Sequence, residues 1–308
     1  MNRLVLAFAW LLAITLLAAP SSASTQAEGP VASASRVVTG DLDPSPYACG
    51  TRIRKPDLSY WTCRFVEHFS GSSLDRASWA VHQGSNNGST LATRFVCALD
   101  DPDNIRVVAG KLRLTVRREA ESFACEDDRA QEPFQAEYSA ATISQLEKLE
   151  VTFARVEVRA KFSTAQVPGV HSAIWMYPEI ESYGLWPLSG EIDIAEFYSV
   201  YPDRAFPFVH YRRDPGDPVT NNFCKLNPRL FHKYVLEWTP GQIKILYDGR
   251  VCLTHRINPA DPLTGSAPFD QPFHLILTQT LGIGQNPFNP GSTPLPQIME
   301  IDWVKIWI

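Results

Sequence analysis

The chain has 308 residues, 44% of them hydrophobic and 11% aromatic, enough for one large domain or two small ones. Its net charge of −5, with no Lys/Arg run or basic patch, argues against a nucleic-acid partner. It has no Gly-x-Ser-x-Gly elbow, phosphate-cradling glycine loop or His-Glu-x-x-His pair, which sets aside those serine-hydrolase, nucleotide and zinc-protease chemistries.

At the N-terminus, Arg3 precedes an apolar run from Leu4 to Ala19, and Ser21-Ser22-Ala23 offers a small-residue cleavage site. This pattern predicts a signal peptide over residues 1–23 and a secreted protein. The apolar run is short for a bilayer span of about 20 residues, so no membrane association is expected after cleavage. Residues 24–45, rich in Ser, Ala, Gly and Pro, read as a flexible leader. An even count of six cysteines in an exported chain predicts disulfides. Neighbour pairing (Cys49–Cys63, Cys97–Cys125, Cys224–Cys252) is the simplest of the fifteen possible sets. Their spacing fits no zinc motif, so no metal site is expected. Asn87-Gly88-Ser89 is a glycosylation sequon.

Further along, strand signals dominate. Lys111 to Arg117 alternates, with Leu112, Leu114 and Val116 on one face. From Phe153 to Phe162, Val156, Val158, Ala160 and Phe162 oppose Arg155, Glu157, Arg159 and Lys161. Tyr234–Trp238 and Ile243–Tyr247 flank the turn Thr239-Pro240-Gly241-Gln242, and Asp248-Gly249 marks the next turn. Phe273–Thr280 and Ile298–Ile308 are further strands. No long segment carries a 3.6-residue apolar stripe. The expectation is an all-β sandwich of two antiparallel sheets, one domain over residues 46–308, acting as a monomer.

Against this background the run Gly190-Glu191-Ile192-Asp193-Ile194-Ala195-Glu196 stands out. Alternation puts Glu191 and Asp193 on one strand face and Glu196 on the other. A one-residue bulge brings all three to one side. Paired carboxylates are the equipment of glycoside hydrolysis: retaining enzymes place them about 5–5.5 Å apart, inverting ones roughly 6.5–9.5 Å. Along an ideal strand Glu191 and Glu196 start about 16 Å apart, so the bulge, a concave sheet and two long side chains must close the gap.

The segment from Trp186 to Glu196 resembles the Trp-Pro-x-x-Gly-Glu-Ile-Asp-x-x-Glu block of glycoside hydrolase family 16, bulged laminarinase-like type. Phe153–Lys161, Ser172–Pro178, Phe231–Trp238, Ile243–Gly249 and Ile301–Trp307 resemble companion segments of that family in order. The resemblance implies a β-jelly-roll with a concave substrate cleft. It also implies retaining endo-hydrolysis of a β-linked polysaccharide, most simply β-1,3-glucan, with no cofactor required. Another β-glycan, glycosyl transfer and a non-catalytic glycan-binding module are the alternatives.

The resemblance assigns Glu191 as nucleophile, Asp193 as its helper and Glu196 as acid/base. It implies that Trp186 and Trp175 contact sugar, that His210 hydrogen-bonds the acid/base, and that Gln279 falls where relatives carry a substrate-contacting Asn. Gln279-Thr280-Leu281-Gly282-Ile283-Gly284 departs from the glucanase pattern Asn-x-Ala-Val-Gly-Gly. Some relatives hold a structural calcium with groups near the positions of Glu67-His68-Phe69 and Asp302. His68 is a poor calcium ligand.

Overall fold

The computed structural model describes residue 45 and residues 48–85, 95–127, 132–213 and 222–308. The predicted signal peptide, nearly all of the leader and the Asn87 sequon lie outside the described residues.

Among the described residues every regular element is a strand. In chain order these are β1 (Cys63–Glu67), β2 (Ala80–Val81), β3 (Gly84–Ser85), β4 (Val96–Ala98), β5 (Ile105–Val108) and β6 (Lys111–Cys125). The middle of the chain supplies β7 (Phe134–Ser144), β8 (Arg155–Lys161), β9 (Val170–Pro178), β10 (Glu191–Tyr198), β11 (Arg204–His210) and β12 (Cys224–Lys225). It closes with β13 (His232–Thr239), β14 (Gln242–Tyr247), β15 (Arg250–Arg256), β16 (Phe273–Leu281) and β17 (Gln297–Trp307).

These strands form the two sheets of a jelly-roll sandwich. One runs β15-β14-β13-β8-β17, with β6 pairing the first part of β17 and β1 the second. The other runs β11-β10-β9-β16-β7-β2. The long strands β6 and β7 also pair with each other and join the sheets at one edge. One pair departs from the antiparallel expectation: β4 lies parallel to β7.

Sequence alternation explains the core. Val156, Val158, Ala160 and Phe162 point inward and are fully buried, against Tyr234, Trp238 and Phe273. The charged partners on β8 occupy the outer face. There Arg155 pairs with Glu157 and Glu237, and Lys161 with Glu300. Both predicted hairpins form, Thr239 opposite Gln242 and Tyr247 opposite Arg250. In the second, Asp248 and Gly249 both take positive φ, as a type I′ turn demands. The three neighbour disulfides are all present.

Candidate active site

The site is built on β10, with β9 on one side and β11 on the other. Asp193 faces Trp175 on β9 and Phe208 on β11; three residues later Glu196 faces Ala173 and Phe206. Three residue steps on β10 thus oppose two on each neighbour, which is the predicted bulge, and Glu196 returns to the face of Glu191 and Asp193. A bulge leaves backbone groups outside the ladder. Here the Ile194 carbonyl accepts a hydrogen bond from the buried Tyr247 hydroxyl of the opposite sheet, at 3.0 Å. Gly190 sets the entry to β10. Its φ is +84°, and a Cβ there would come within 2.8 Å of the Phe269 ring.

The three carboxylates line one cavity of about 310 Å³ with His171, Trp175, Tyr198, Thr278 and Thr280. Glu196 Oε1 is held by two groups: His171 Nε2 at 2.9 Å and the donating Tyr198 hydroxyl at 2.8 Å. The His171 and Tyr198 rings stack with centroids 4.7 Å apart. On the other side His210 Nε2 lies 3.2 Å from Asp193 Oδ2 and 3.8 Å from Glu191 Oε1. Asp193 Oδ2 is buried and has no aligned donor.

Burial, reinforced by the Asp193 charge, pushes the Glu191 carboxyl up to about 9; the His210 imidazole and a Trp186 hydrogen bond pull the other way. Burial, with the charge of Glu196 next, raises Asp193 well above the ordinary carboxylate range. Like charges packed in a buried wall resist joint ionisation, and Glu191 keeps its proton at neutral pH.

Residues 96–305 match the family described as glycosyl hydrolases family 16. The chain belongs to this family. It is 29% identical over 276 residues to glucan endo-1,3-beta-glucosidase A1 of Niallia circulans, covering 82% of this chain and 38% of that protein. It is 29% identical over 272 residues to a beta-glucanase of Rhodothermus marinus, covering 83% of this chain and 88% of that one. The fold superposes on the X-ray structure of the laminarinase from Rhodothermus marinus with a TM-score of 0.66 at 28% identity, covering 80% and 97% of the two chains.

Two expectations drawn from the family 16 resemblance need correction. His210 does not bond Glu196; it stands opposite Glu191 in the ladder and faces Glu191 and Asp193. The histidine on Glu196 is His171, on the preceding strand. Gln279 does not reach the cleft. It is fully buried on the inner face of β16, where its Oε1 accepts a 2.5 Å hydrogen bond from Ser172. The β16 residues that line the cleft are Thr278, Thr280 and, at the strand end, Leu281.

The two tryptophans do meet the cleft. Trp175 lines the cavity, its indole N–H donating to Thr278 Oγ1 at 3.1 Å. Trp186 is 55% exposed beside the carboxylates, its ring 5.7 Å from that of His210. Sequence parity held the signal for the missed residues. His171 shares the parity of Trp175 on β9, and Tyr198 that of Glu196 after the bulge.

The positions that the family resemblance links to calcium carry other contacts here. The Asp302 carboxylate is held by Arg159, and Glu67 Oε1 accepts the Phe69 N–H at 2.6 Å.

Proposed function

We propose that the protein is a secreted, retaining endo-glycosidase that hydrolyses β-1,3-linked glucan. The observation that carries this is the bulge, which gathers Glu191, Asp193 and Glu196 in one cleft wall beside exposed Trp186. The glucanase relatives support the substrate class, and the three disulfides suit an oxidising, extracellular setting.

In this reading a pyranose ring sits over Glu191. Its carboxylate attacks the anomeric carbon as Glu196 gives a proton to the departing glycosidic oxygen. The C–O bond breaks, and a glycosyl ester forms on Glu191. A water then replaces the leaving sugar, loses its proton to Glu196, and releases the product with retention. Both donors on Glu196 converge on Oε1, leaving Oε2 to hold and deliver the proton. Asp193 lies between the two glutamates and relays the Glu191 proton to Glu196 when substrate enters, so that Glu191 attacks ionised and Glu196 carries the proton the leaving oxygen takes.

One observation favours the opposite assignment: the proton held on Glu191 up to about 9 is what a general acid needs. Azide separates the two. With Glu191 as nucleophile, azide restores turnover to Glu191→Ala and gives an inverted glycosyl azide; rescue confined to Glu196→Ala, with the same product, reverses the roles. Failure of the wild type to release reducing sugar from laminarin or curdlan would reject the β-1,3-glucanase reading.

A further inference from the structure

The two flanks of the carboxylates differ in chemistry. Towards β9 and β16 the wall carries His171, Trp175, Thr278 and Thr280, a mixed surface rich in hydrogen-bonding groups. Towards β11 it is a row of rings. Alternation turns Ala205, Pro207 and Val209 into the core and leaves Phe206, Phe208 and His210 half-buried on the cleft face. The Phe206 and Phe208 ring planes are nearly parallel, 7° apart with centroids at 6.2 Å; Phe208 and His210 follow at 5.7 Å. Exposed Tyr201 and Phe223 pack on Phe206. The Phe206, Phe208, Tyr201 and Phe223 rings border a second cavity of about 500 Å³.

This second cavity continues the first. Tyr198 and Ile283 line both, and Phe206 and Phe208 stand directly opposite Glu196 and Asp193 in the ladder. Its polar groups are largely committed. Arg204 lies over Phe223 and is held by Asp203 at 2.6 and 3.0 Å. Asn286 spends its amide on Gly169, Val170 and Val200, which fixes the loops at this end of the cleft.

We propose that the β11 aromatic row is a stacking platform for pyranose units of the polysaccharide immediately beyond the site of cleavage. This rests on the glycosidase reading above. The occupant is a continuing β-glycan chain, because the row abuts the carboxylates and its cavity opens from theirs. Ring faces read the apolar C–H face of a sugar and not its hydroxyl pattern. Discrimination between sugars therefore falls to the β9/β16 flank, while the β11 flank supplies affinity that grows with chain length. Over the two-residue steps from His210 to Phe206 the row spans about 13 Å, more than one ring.

The test compares kcat/KM on laminari-oligosaccharides of three to six units for wild type, Phe206→Ala, Phe208→Ala and Phe223→Ala. In the wild type kcat/KM rises with length. In the variants the hexaose-to-triose ratio falls about ten-fold, near 1.4 kcal/mol, and Phe206→Tyr restores it. An unchanged ratio, or equal loss at every length, overturns the platform. Phe223 is exposed at the cavity rim, so its variant keeps the test open if removal of an inner ring prevents folding. Calorimetry of laminarihexaose on Glu191→Gln separates the two readings. A wild type that cleaves while the variants keep their length dependence defeats only the platform. A wild type that does not cleave, together with no binding of the hexaose to Glu191→Gln, defeats both.

Discussion

Glu191 makes the cleft costly to fold, and the cost depends on pH. In the native state its carboxyl keeps a proton up to about 9, against an ordinary value of 4.5. Between those limits the folded protein binds more protons at this position than the unfolded chain does. Stability therefore falls as pH rises through the window. At pH 7 the gap of 2.5 units from 4.5 corresponds to about 3 kcal/mol at roughly 1.4 kcal/mol per unit. Glutamine has nearly the shape of the protonated acid and cannot ionise. Glu191→Gln should match the wild type near pH 4.5 and exceed it by about 2–3 kcal/mol at pH 7, the lower figure allowing for water at the open side of the cleft. Guanidinium unfolding curves at pH 4.5, 5.5, 6.5 and 7.5, disulfides intact, measure this gap. A gap that does not widen with pH, or a glutamine variant less stable at pH 7.5, would refute the reasoning.

Other perturbations separate support from chemistry. His171→Ala removes one hydrogen bond on Glu196; it should lower kcat at least ten-fold with little change in KM, on the scale of about 1.5–3 kcal/mol for a bond to a charged group. An unaltered kcat would remove His171 from the mechanism. Gln279→Ala should cost about 1–3 kcal/mol in unfolding experiments and leave the KM for glucan unchanged, because the side chain is sealed behind the sheet; a raised KM would contradict its placement. Gly190→Ala forces a positive φ and a contact with Phe269, so roughly 2–4 kcal/mol of stability should be lost together with turnover. Wild-type unfolding curves for that variant would show that the backbone there is not constrained.

Strand parity carried much of the sequence reading. It located the core face of β8, required the bulge, and held the unused signal for His171 and Tyr198. It failed at β16 for a physical reason. Every residue from Phe273 to Leu281 is buried, so no polar-apolar alternation marks which side faces the cleft. The pairing of Ile276 with Trp175 decides the matter by putting Thr278 and Thr280 with the cleft residues and Gln279 with the core. His210 was misassigned because ladder register joins residues distant in sequence. Its place opposite Glu191 follows from the length of the β10–β11 connection and the bulge together, and neither is written in the local pattern.

The Tyr247 hydroxyl on the Ile194 carbonyl gives the bulge a further meaning. A strand carrying one surplus residue can lose it without turning its side chains over. Deleting Ala195 would leave the spacing Glu-x-Asp-x-Glu, with all three carboxylates still on one face by plain alternation. The two spacings are thus neighbours in sequence space, one codon deletion apart. What deletion would strand is the tyrosine: its hydroxyl, buried between the sheets, would lose its acceptor when Ile194 rejoins the ladder. Tyr247→Phe is therefore the companion change that such a deletion calls for, and a bulged chain tolerates the shortening best when both occur together.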